Sequence, residues 1–216
     1  MSDALIQAVS TPLLFDDFVA LYPEDGGRYE LRHGEIVEMR PTGAHEEVIA
    51  LIRRKLDLEI EKYQLPYFIP QTCLVKPSRQ AEGYLPDIIV LDREAAKRDP
   101  YWEKASSVSS GEAIRLIVEV VSTNWQDDYL VKLAEYEKLG VPEYWISDYR
   151  ALGGVRFIGS PKVPTIWIYN IDQTKELAEY AAGKPFRSQD KITSTIFPNL
   201  ALSANQIIEI ASNAER

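Results

Sequence analysis

The chain has 216 residues, 45% of them hydrophobic, which is enough for one sizeable core and predicts a single domain over residues 1–216. Its 33 acidic and 24 basic side chains give a net charge of −9, which excludes a protein that coats nucleic acid by bulk electrostatics but leaves nucleic acid open as a substrate. A single cysteine excludes a disulfide framework, and the absence of a signal-peptide pattern in residues 1–11 or of any run near the ~18 apolar residues of a membrane span predicts a cytoplasmic protein.

The first predicted elements are a short helix, a hairpin and a long helix. Residues 11–22 begin with a cap-like Thr11 and a proline at the first helical position, followed by apolar residues at helical spacing. Two short alternating runs in residues 28–39 surround His33-Gly34, which predicts a β-hairpin with His33 at the surface in its turn. Residues 45–60 carry a helical apolar stripe and form the first core helix.

His45 lies in the first turn of this long helix, at the end that attracts anions. One interpretation is a solvated or locally hydrogen-bonded residue. The other is a functional group that faces a cleft. The sequence leaves both open.

Two strand regions and a polar stretch come next. Residues 67–75 predict a strand, and residues 84–92 predict a second, buried strand that has Pro86-Asp87 at its mouth. Residues 93–111 are polar and rich in serine near their end, which indicates a loop with at most a short helix.

Residues 114–122 form an apolar, mostly aliphatic run with one carboxylate, Glu119, inside it. Such a run is typical of a strand that is buried on both faces, where an ionised glutamate costs several kcal/mol unless its charge is compensated. A structural ion pair would compensate it, and so would a bound cation or a lysine in a functional site.

A helix of about fifteen residues is predicted after this strand, ending at Gly140. At 100° per residue, Lys132 projects into the apolar arc that Tyr129 and Tyr136 belong to, whereas Glu135 points away with Asp127 and Lys138. Lys132 is therefore a candidate partner for Glu119. Snorkelling along the helix surface is the competing interpretation.

The remaining chain predicts further strands and a final helix. Residues 141–148 form a strand, and together with the preceding strand and helix they predict a right-handed β-α-β unit with parallel strands. Residues 203–211 predict an amphipathic helix capped by Ser203. Four more strand candidates are residues 155–158, 165–169, 175–181 and 192–197.

Asp87 and Glu119 stand in consecutive predicted strands of one sheet and could converge on a divalent cation. Mg²⁺ prefers oxygen ligands and usually takes only one or two protein carboxylates, with water and substrate phosphate completing its shell. Two carboxylates and the lysine Lys132 are the residues that metal-assisted phosphodiester hydrolysis requires.

Six segments together resemble the Uma-type restriction endonuclease family of the PD-(D/E)XK nuclease superfamily. They are Tyr29-Glu-Leu, Gly34-Glu-Ile-Val-Glu-Met, Leu85-Pro-Asp-Ile-Ile-Val, Val118-Glu-Val-Val-Ser, Lys132-Leu-Ala-Glu-Tyr and Gly140-Val-Pro-Glu-Tyr-Trp-Ile. No single segment is specific to this family. Their order and spacing within a core of about residues 28–150 are specific to it. The resemblance implies an α/β restriction-endonuclease-like fold, in which helices flank a mixed β-sheet.

The resemblance also implies a metal centre. Asp87, Glu119 and the backbone carbonyl of Val120 would bind Mg²⁺, with Mn²⁺ as a substitute. Val121 occupies the position where the superfamily has its lysine, and the family pattern implies that Lys132 replaces it.

Four other residues match the family pattern or lie near its site. His45 matches a histidine at the head of the first core helix, and Asp128, four residues before Lys132, could orient that lysine. Glu30 and Glu35 are candidate outer carboxylates.

Three functions remain open at this point. The first is a Mg²⁺-dependent endonuclease that acts on DNA, which we expect to be a homodimer because cleavage of both strands by a single-site domain needs two copies. The second is a catalytically inactive module for binding or assembly that keeps the fold. The third is hydrolysis of another phosphodiester, such as RNA, by the same chemistry.

Overall fold

The computed structural model describes residues 11–214, so nearly all of the N-terminal segment inspected above for a signal peptide lies outside the described residues. Within this range the strands are β1 (Tyr29–Arg32), β2 (Glu35–Glu38), β3 (Tyr67–Phe68), β4 (Leu74–Val75), β5 (Ile88–Asp92), β6 (Ser107–Val108), β7 (Ile114–Val120), β8 (Glu143–Asp148), β9 (Thr165–Asn170) and β10 (Lys184–Phe186). The α-helices are α1 (Phe15–Ala20), α2 (Gly43–Lys62), α3 (Arg93–Arg98), α4 (Trp102–Ala105), α5 (Leu133–Leu139), α6 (Val155–Ile158) and α7 (Ala204–Ala214).

The predicted strand around Glu119 is β7, at the centre of a six-stranded sheet with the order β10-β9-β8-β7-β5-β3. β7 and β8 are parallel, whereas every other neighbouring pair is antiparallel. The parallel strands of the predicted β-α-β unit are therefore confirmed, and the sheet is mixed.

Helices cover both faces of the sheet. They pack there because the central strands point mostly apolar side chains to each face. Val118 and Val120 of β7 point to the core that α2 and α7 close. Ile117 points to the other core, where Tyr129 and Tyr136 pack. Glu119 is two residues after Ile117, so its side chain points to the same face of the sheet, which the helix after β7 covers.

The predicted hairpin is confirmed as β1 and β2, joined by His33 and Gly34. Both turn residues have positive φ, 53° and 80°, as a two-residue turn of this kind requires. The His33 side chain is 84% exposed, as predicted, although its Nδ1 lies 2.8 Å from Glu82 Oε1.

The helix after β7 spans the predicted length but contains a π-helical segment, Asp127–Lys132, which precedes α5. A π-helix has more residues per turn than an α-helix, so a rotation of 100° per residue no longer predicts the direction of the side chains that follow. Lys132 is buried as predicted, but the prediction for Glu135 is wrong: it is 1% exposed and its Oε2 accepts a hydrogen bond of 2.6 Å from the Ser78 hydroxyl.

Two predicted elements at the N-terminal end are shorter than expected. α1 begins at Phe15 rather than near Thr11, because the backbone N–H groups of Leu13 and Phe15 donate to Gly34 and Gln80 outside the helix. The strand predicted over residues 67–75 is two strands in different sheets, since β3 pairs with β5 and β4 pairs with β6. Pro70, which has no N–H to donate to a ladder, lies between them.

The stretch predicted as a loop, residues 93–111, is mostly structured. It contains α3, α4 and β6. Asp92 caps α3 by accepting hydrogen bonds from the N–H groups of Glu94 and Ala95. The buried Asp99 accepts hydrogen bonds from the N–H groups of Ser109 and Ser110, which ties the end of the stretch to its middle.

Three of the four C-terminal strand candidates are wrong, and only residues 165–169 are confirmed, as β9. Residues 155–158 form α6, because a segment of four residues, three of them apolar, is too short for its period to distinguish a helix from a strand. Residues 175–181 are largely exposed and have only an isolated bridge between Tyr180 and Ile171. The final helix is confirmed as α7, with the Ser203 hydroxyl accepting from the N–H of Gln206.

Residues 192–197 do not form a strand because a buried carboxylate takes two of their backbone donors. Glu143 of β8 accepts hydrogen bonds from the N–H groups of Thr195 and Ile196 and from the hydroxyls of Ser194 and Thr195. It also accepts a bond of 2.7 Å from the indole N–H of Trp145. The Glu143 side chain thus helps to hold the C-terminal segment against the sheet.

We predict that Glu143→Gln lowers the free energy of unfolding by about 2–4 kcal/mol, because an amide nitrogen would face donors that now share two carboxylate oxygens. Urea denaturation of the variant measures this loss. Glu179→Gln, at an exposed ion pair with Lys175, is the matched control and should change stability by less than about 0.5 kcal/mol. Equal denaturation midpoints for the two variants would contradict the role given to Glu143.

Candidate metal and catalytic site

The two candidate metal ligands meet across β5 and β7. In this antiparallel pair Ile88 is opposite Val118, which brings Asp87, one residue before β5, opposite Glu119. Asp87 Oδ2 accepts a hydrogen bond of 2.8 Å from the N–H of Val120, which fixes its carboxylate at the end of the strand. Glu119 is 2% exposed. The structure therefore brings together the two carboxylates that the sequence placed in consecutive strands.

Lys132 reaches this pair from the π-helical segment. Its Nζ lies 3.0 Å from Glu119 Oε1, 3.1 Å from Glu30 Oε1 and 3.7 Å from Asp128 Oδ1. Its side chain is 3% exposed, so the amine does not snorkel to the solvent. The phenol of Tyr136 donates a second hydrogen bond, of 2.8 Å, to Glu119 Oε1.

Glu30 is part of this network, whereas Glu35 is not. Glu30 is fully buried, accepts from the N–H of Leu85 at 3.0 Å and holds Arg32 through its other oxygen at 2.7 Å. Glu35 is exposed on β2, away from the cleft.

His45 faces the same cleft as Glu119, so its side chain is neither solvated nor bonded only within its own helical turn. Thr42 caps α2 and accepts from the N–H of His45, and the imidazole lies inside the protein. Its Nε2 is 2.9 Å from the carbonyl oxygen of Val120 and 3.4 Å from Asp87 Oδ2. Although burial opposes the charged form, the hydrogen bond and charge of Asp87 raise the pKa of His45 above its usual value.

The carboxylates differ sharply in their electrostatics. Burial raises the pKa of Glu119 to about 7, with the charges of Asp87 and Glu30 adding to the effect and Lys132 opposing it. Burial also raises the pKa of Asp128 well above its usual value. Burial opposes ionisation of Asp87, but its pKa is lowered, chiefly by the hydrogen bond and charge of His45, with the N–H of Val120 and the charge of Lys132 adding to the effect. At neutral pH the site thus combines an ionised Asp87 with a Glu119 that is close to its titration midpoint.

These groups line a cavity of about 520 Å³, which we call the acidic cleft. Its walls also carry basic side chains, including Arg28 and Arg32 on the β1 side and Arg40 beyond β2. The cleft is therefore mixed in charge, although the protein as a whole is acidic.

Comparison with known proteins identifies the family. The Uma2 family model, described as "Putative restriction endonuclease", matches residues 15–205. The chain belongs to this family. Membership agrees with the resemblance carried by the six sequence segments.

The fold is shared with a solved structure, the crystal structure of a "putative nuclease" from Anabaena variabilis ATCC 29413. The match has a TM-score of 0.65 at 18% identity, and covers 93% of this chain and 99% of that chain. The restriction-endonuclease-like fold predicted from the sequence is thus confirmed. The search of curated proteins found no match. In residues 11–214 no helix is both long and apolar enough to cross a membrane.

The oxygen donors of this site suit a divalent cation, which restriction-endonuclease-like families generally use. No three His, Cys, Asp or Glu side chains among the described residues are grouped to hold an ion, but Mg²⁺ usually takes only one or two carboxylates. The raised pKa of Glu119 means that a cation there would displace a proton and relieve the repulsion from Asp87. The Val120 carbonyl has a second lone pair beyond the one that faces His45.

Sequence reasoning missed two arginines and a tyrosine at this site. Arg28 and Arg32 share the polar face of β1 with Glu30, a period of two that the predicted hairpin already contained. Tyr136 was placed on the buried helix face, but nothing in the sequence indicated that its hydroxyl would reach Glu119.

We predict that Lys132→Met lowers the free energy of unfolding at pH 8 by about 3–5 kcal/mol, because it leaves buried carboxylates without their cation. The loss should shrink as the pH falls from 8 to 5. Without the amine the carboxylates of the folded variant bind protons that the unfolded chain, near its ordinary pKa of about 4.3, does not yet bind. Urea denaturation at both pH values measures the effect, with the exposed Lys97→Met as control. A loss independent of pH would contradict this charge balance.

Proposed function

We propose that the protein is a Mg²⁺-dependent endonuclease that hydrolyses DNA phosphodiester bonds, with Mn²⁺ able to substitute. The observation that carries the proposal is the convergence of Asp87 and Glu119 from adjacent strands, with the Lys132 amine 3.0 Å from Glu119 at the base of the acidic cleft. Membership of a family of restriction-endonuclease-like proteins supports a nuclease.

Asp87, Glu119 and the Val120 carbonyl would hold the metal. When bound, Mg²⁺ supplies a Lewis acid that polarises the phosphate and lowers the pKa of an attacking water. Lys132 stays protonated at the pH of the cell, because the surrounding carboxylates raise its pKa despite its burial. Its ammonium can donate to the attacking water or to an oxygen on which negative charge develops. His45 holds Asp87 and the Val120 carbonyl in place through its Nε2.

The superfamily pattern has its lysine at the position that Val121 occupies in this chain. The side chain of Val121 is buried in the apolar core that Tyr129 and Tyr136 also line. Lys132 enters the same region from the following helix, so the amine comes from a different element. This placement supports a catalytic rather than a purely electrostatic role for Lys132.

We predict that purified protein cleaves DNA only when Mg²⁺ or Mn²⁺ is present, and that Asp87→Asn and Glu119→Gln each reduce the rate by at least about 100-fold, since each removes a charge that would hold the metal. Nicking and linearisation of supercoiled plasmid measure the rate, with linear duplex, single-stranded DNA and RNA as parallel substrates. Glu179→Gln is the control, because it also removes one carboxylate charge, at an exposed position. Cleavage by Glu119→Gln at the wild-type rate would refute the mechanism, and cleavage of RNA alone would move the proposal to that substrate.

A second candidate function is a catalytically inactive module for binding or assembly. The observation that favours it is the closed network around Lys132, whose amine already has three carboxylate partners within 3.7 Å. Calorimetric titration with Mn²⁺ separates the two functions. Binding that Asp87→Asn abolishes supports the nuclease, and the absence of binding supports the inactive module.

The cellular setting is also a proposal. We propose a cytoplasmic protein, since its one cysteine, Cys73, is buried and unpaired, and cell fractionation tests this. The assignment of one domain to residues 1–216 stays a prediction.

We predict that the protein is a homodimer in solution, because one active site per chain cuts one strand at a time. Analytical ultracentrifugation measures the mass over a concentration series, with and without DNA. A monomer under both conditions, combined with double-strand cleavage, would contradict the expectation.

A further inference from the structure

Three charged residues alternate along one face of the first hairpin strand and line the acidic cleft. They are Arg28, directly before β1, and Glu30 and Arg32 within it. Leu31, between them, is fully buried in the opposite direction. The strand therefore presents its polar edge to the same cavity as Asp87 and Glu119.

The two arginines on this face are bonded very differently. Arg32 donates to Glu30 at 2.8 Å through Nε and 2.7 Å through Nη2, reaches Asp127 at 3.3 Å and lies over the Tyr84 ring. Its guanidinium is built into the wall of the cleft.

Arg28 has no comparable partner. Its Nη1 lies 3.5 Å from Glu46 Oε1 and its Nη2 lies 3.6 Å from Asp87 Oδ1, at or beyond the limit of a hydrogen bond. Its Nε is buried and has no hydrogen-bond partner among the described residues. A buried unsatisfied donor of a charged group costs free energy, so its persistence needs an explanation.

The backbone of Arg28 is fixed although its guanidinium is under-bonded. Its carbonyl accepts a hydrogen bond of 2.7 Å from the N–H of Met39, which closes the end of the hairpin. The guanidinium is thus presented into the cleft, next to Asp87, with its planar fork of donors available. Phosphate oxygens match this fork in both geometry and charge.

We propose that Arg28 binds a non-bridging phosphate oxygen of a DNA strand in the acidic cleft. This inference rests on the proposed function in taking DNA as the ligand. Because Arg28 stands 3.6 Å from Asp87, the phosphate that it binds lies beside the carboxylates and is the one to be cleaved. The contact draws the guanidinium from its long ion pairs into short, charge-assisted hydrogen bonds and satisfies its donors.

The competing explanation is that Arg28 only balances the charge of Asp87. The two explanations separate in an Asp87→Asn background, in which the charge to be balanced is gone and the strand is not cut. There a pure counter-charge weakens DNA binding no more than the loss of another positive charge in the cleft does, whereas a phosphate ligand keeps its full effect.

The experiment measures binding of a short fluorescein-labelled DNA duplex by fluorescence anisotropy in EDTA, so that neither metal nor cleavage contributes. We predict that adding Arg28→Gln to Asp87→Asn weakens binding by about 10- to 100-fold and lowers the slope of log K against log salt concentration by about one. Arg28→Lys in the same background should give an intermediate loss, because it keeps the charge but not the fork. Thermal unfolding checks that Arg28→Gln folds. If it does not fold, the DNA affinity of the Arg28→Lys variant tests the inference instead.

Arg40→Gln in the Asp87→Asn background is the matched control. Arg40 lines the cleft as well, but it is 81% exposed and pairs with Glu38 at 2.6 Å, so its removal changes the net charge equally without removing an under-bonded donor. Equal losses for Arg28→Gln and Arg40→Gln would overturn the inference, as would absence of DNA binding by Asp87→Asn itself.

Failure of this inference is distinguishable from failure of the proposed function. If the wild type cuts DNA but binding does not depend on Arg28, only the inference is wrong. If the wild type cuts no DNA but binding depends on Arg28, the catalytic proposal is wrong and the phosphate contact stands.

Discussion

The contact between Lys132 and Glu119 is the interaction on which the rest of the site depends. Glu119 occupies a central strand of the sheet, where its neighbours along the strand are buried apolar residues and an unpaired carboxylate would be costly. Burial raises the pKa of Glu119 to about 7, and the charges of Asp87 and Glu30 add to this effect, although the charge of Lys132 opposes it. A cation bound beside Glu119 and Asp87 would favour the ionised form of Glu119 and reduce the repulsion between the two carboxylates.

The π-helical segment determines how this charge reaches the sheet. It buries Asp128, Tyr129 and Lys132 together, and the α-helical turn that follows buries Glu135 and Tyr136. A regular helix of the same sequence was predicted to turn Glu135 to the solvent. π-helical turns cost regular hydrogen-bond geometry and occur frequently at functional sites. Here the turn places an amine and a phenol on the same carboxylate oxygen.

Features that depend on a local pattern of residues could be predicted from the sequence. The apolar run around Glu119, the β-α-β connection and the inward side of Lys132 all followed from periodicity over a few residues. The sequence was insufficient where a distant side chain decides: residues 192–197 lost their strand to the carboxylate of Glu143, some fifty residues away, which no local pattern contains. The same limit hid the bond between Tyr136 and Glu119, and the contrast between Arg28 and Arg32.

Pro86 links the strand ending to the chemistry of the site. The register of β5 and β7, in which Ile88 pairs with Val118, places Pro86 opposite Val120 when continued by two residues. Proline has no N–H, so it cannot donate to the Val120 carbonyl, and the ladder ends there. The N–H of Val120 is taken instead by the Asp87 carboxylate, and its carbonyl by His45. A proline at this position therefore frees a backbone oxygen beside two carboxylates, which is the donor set that a hard divalent cation requires.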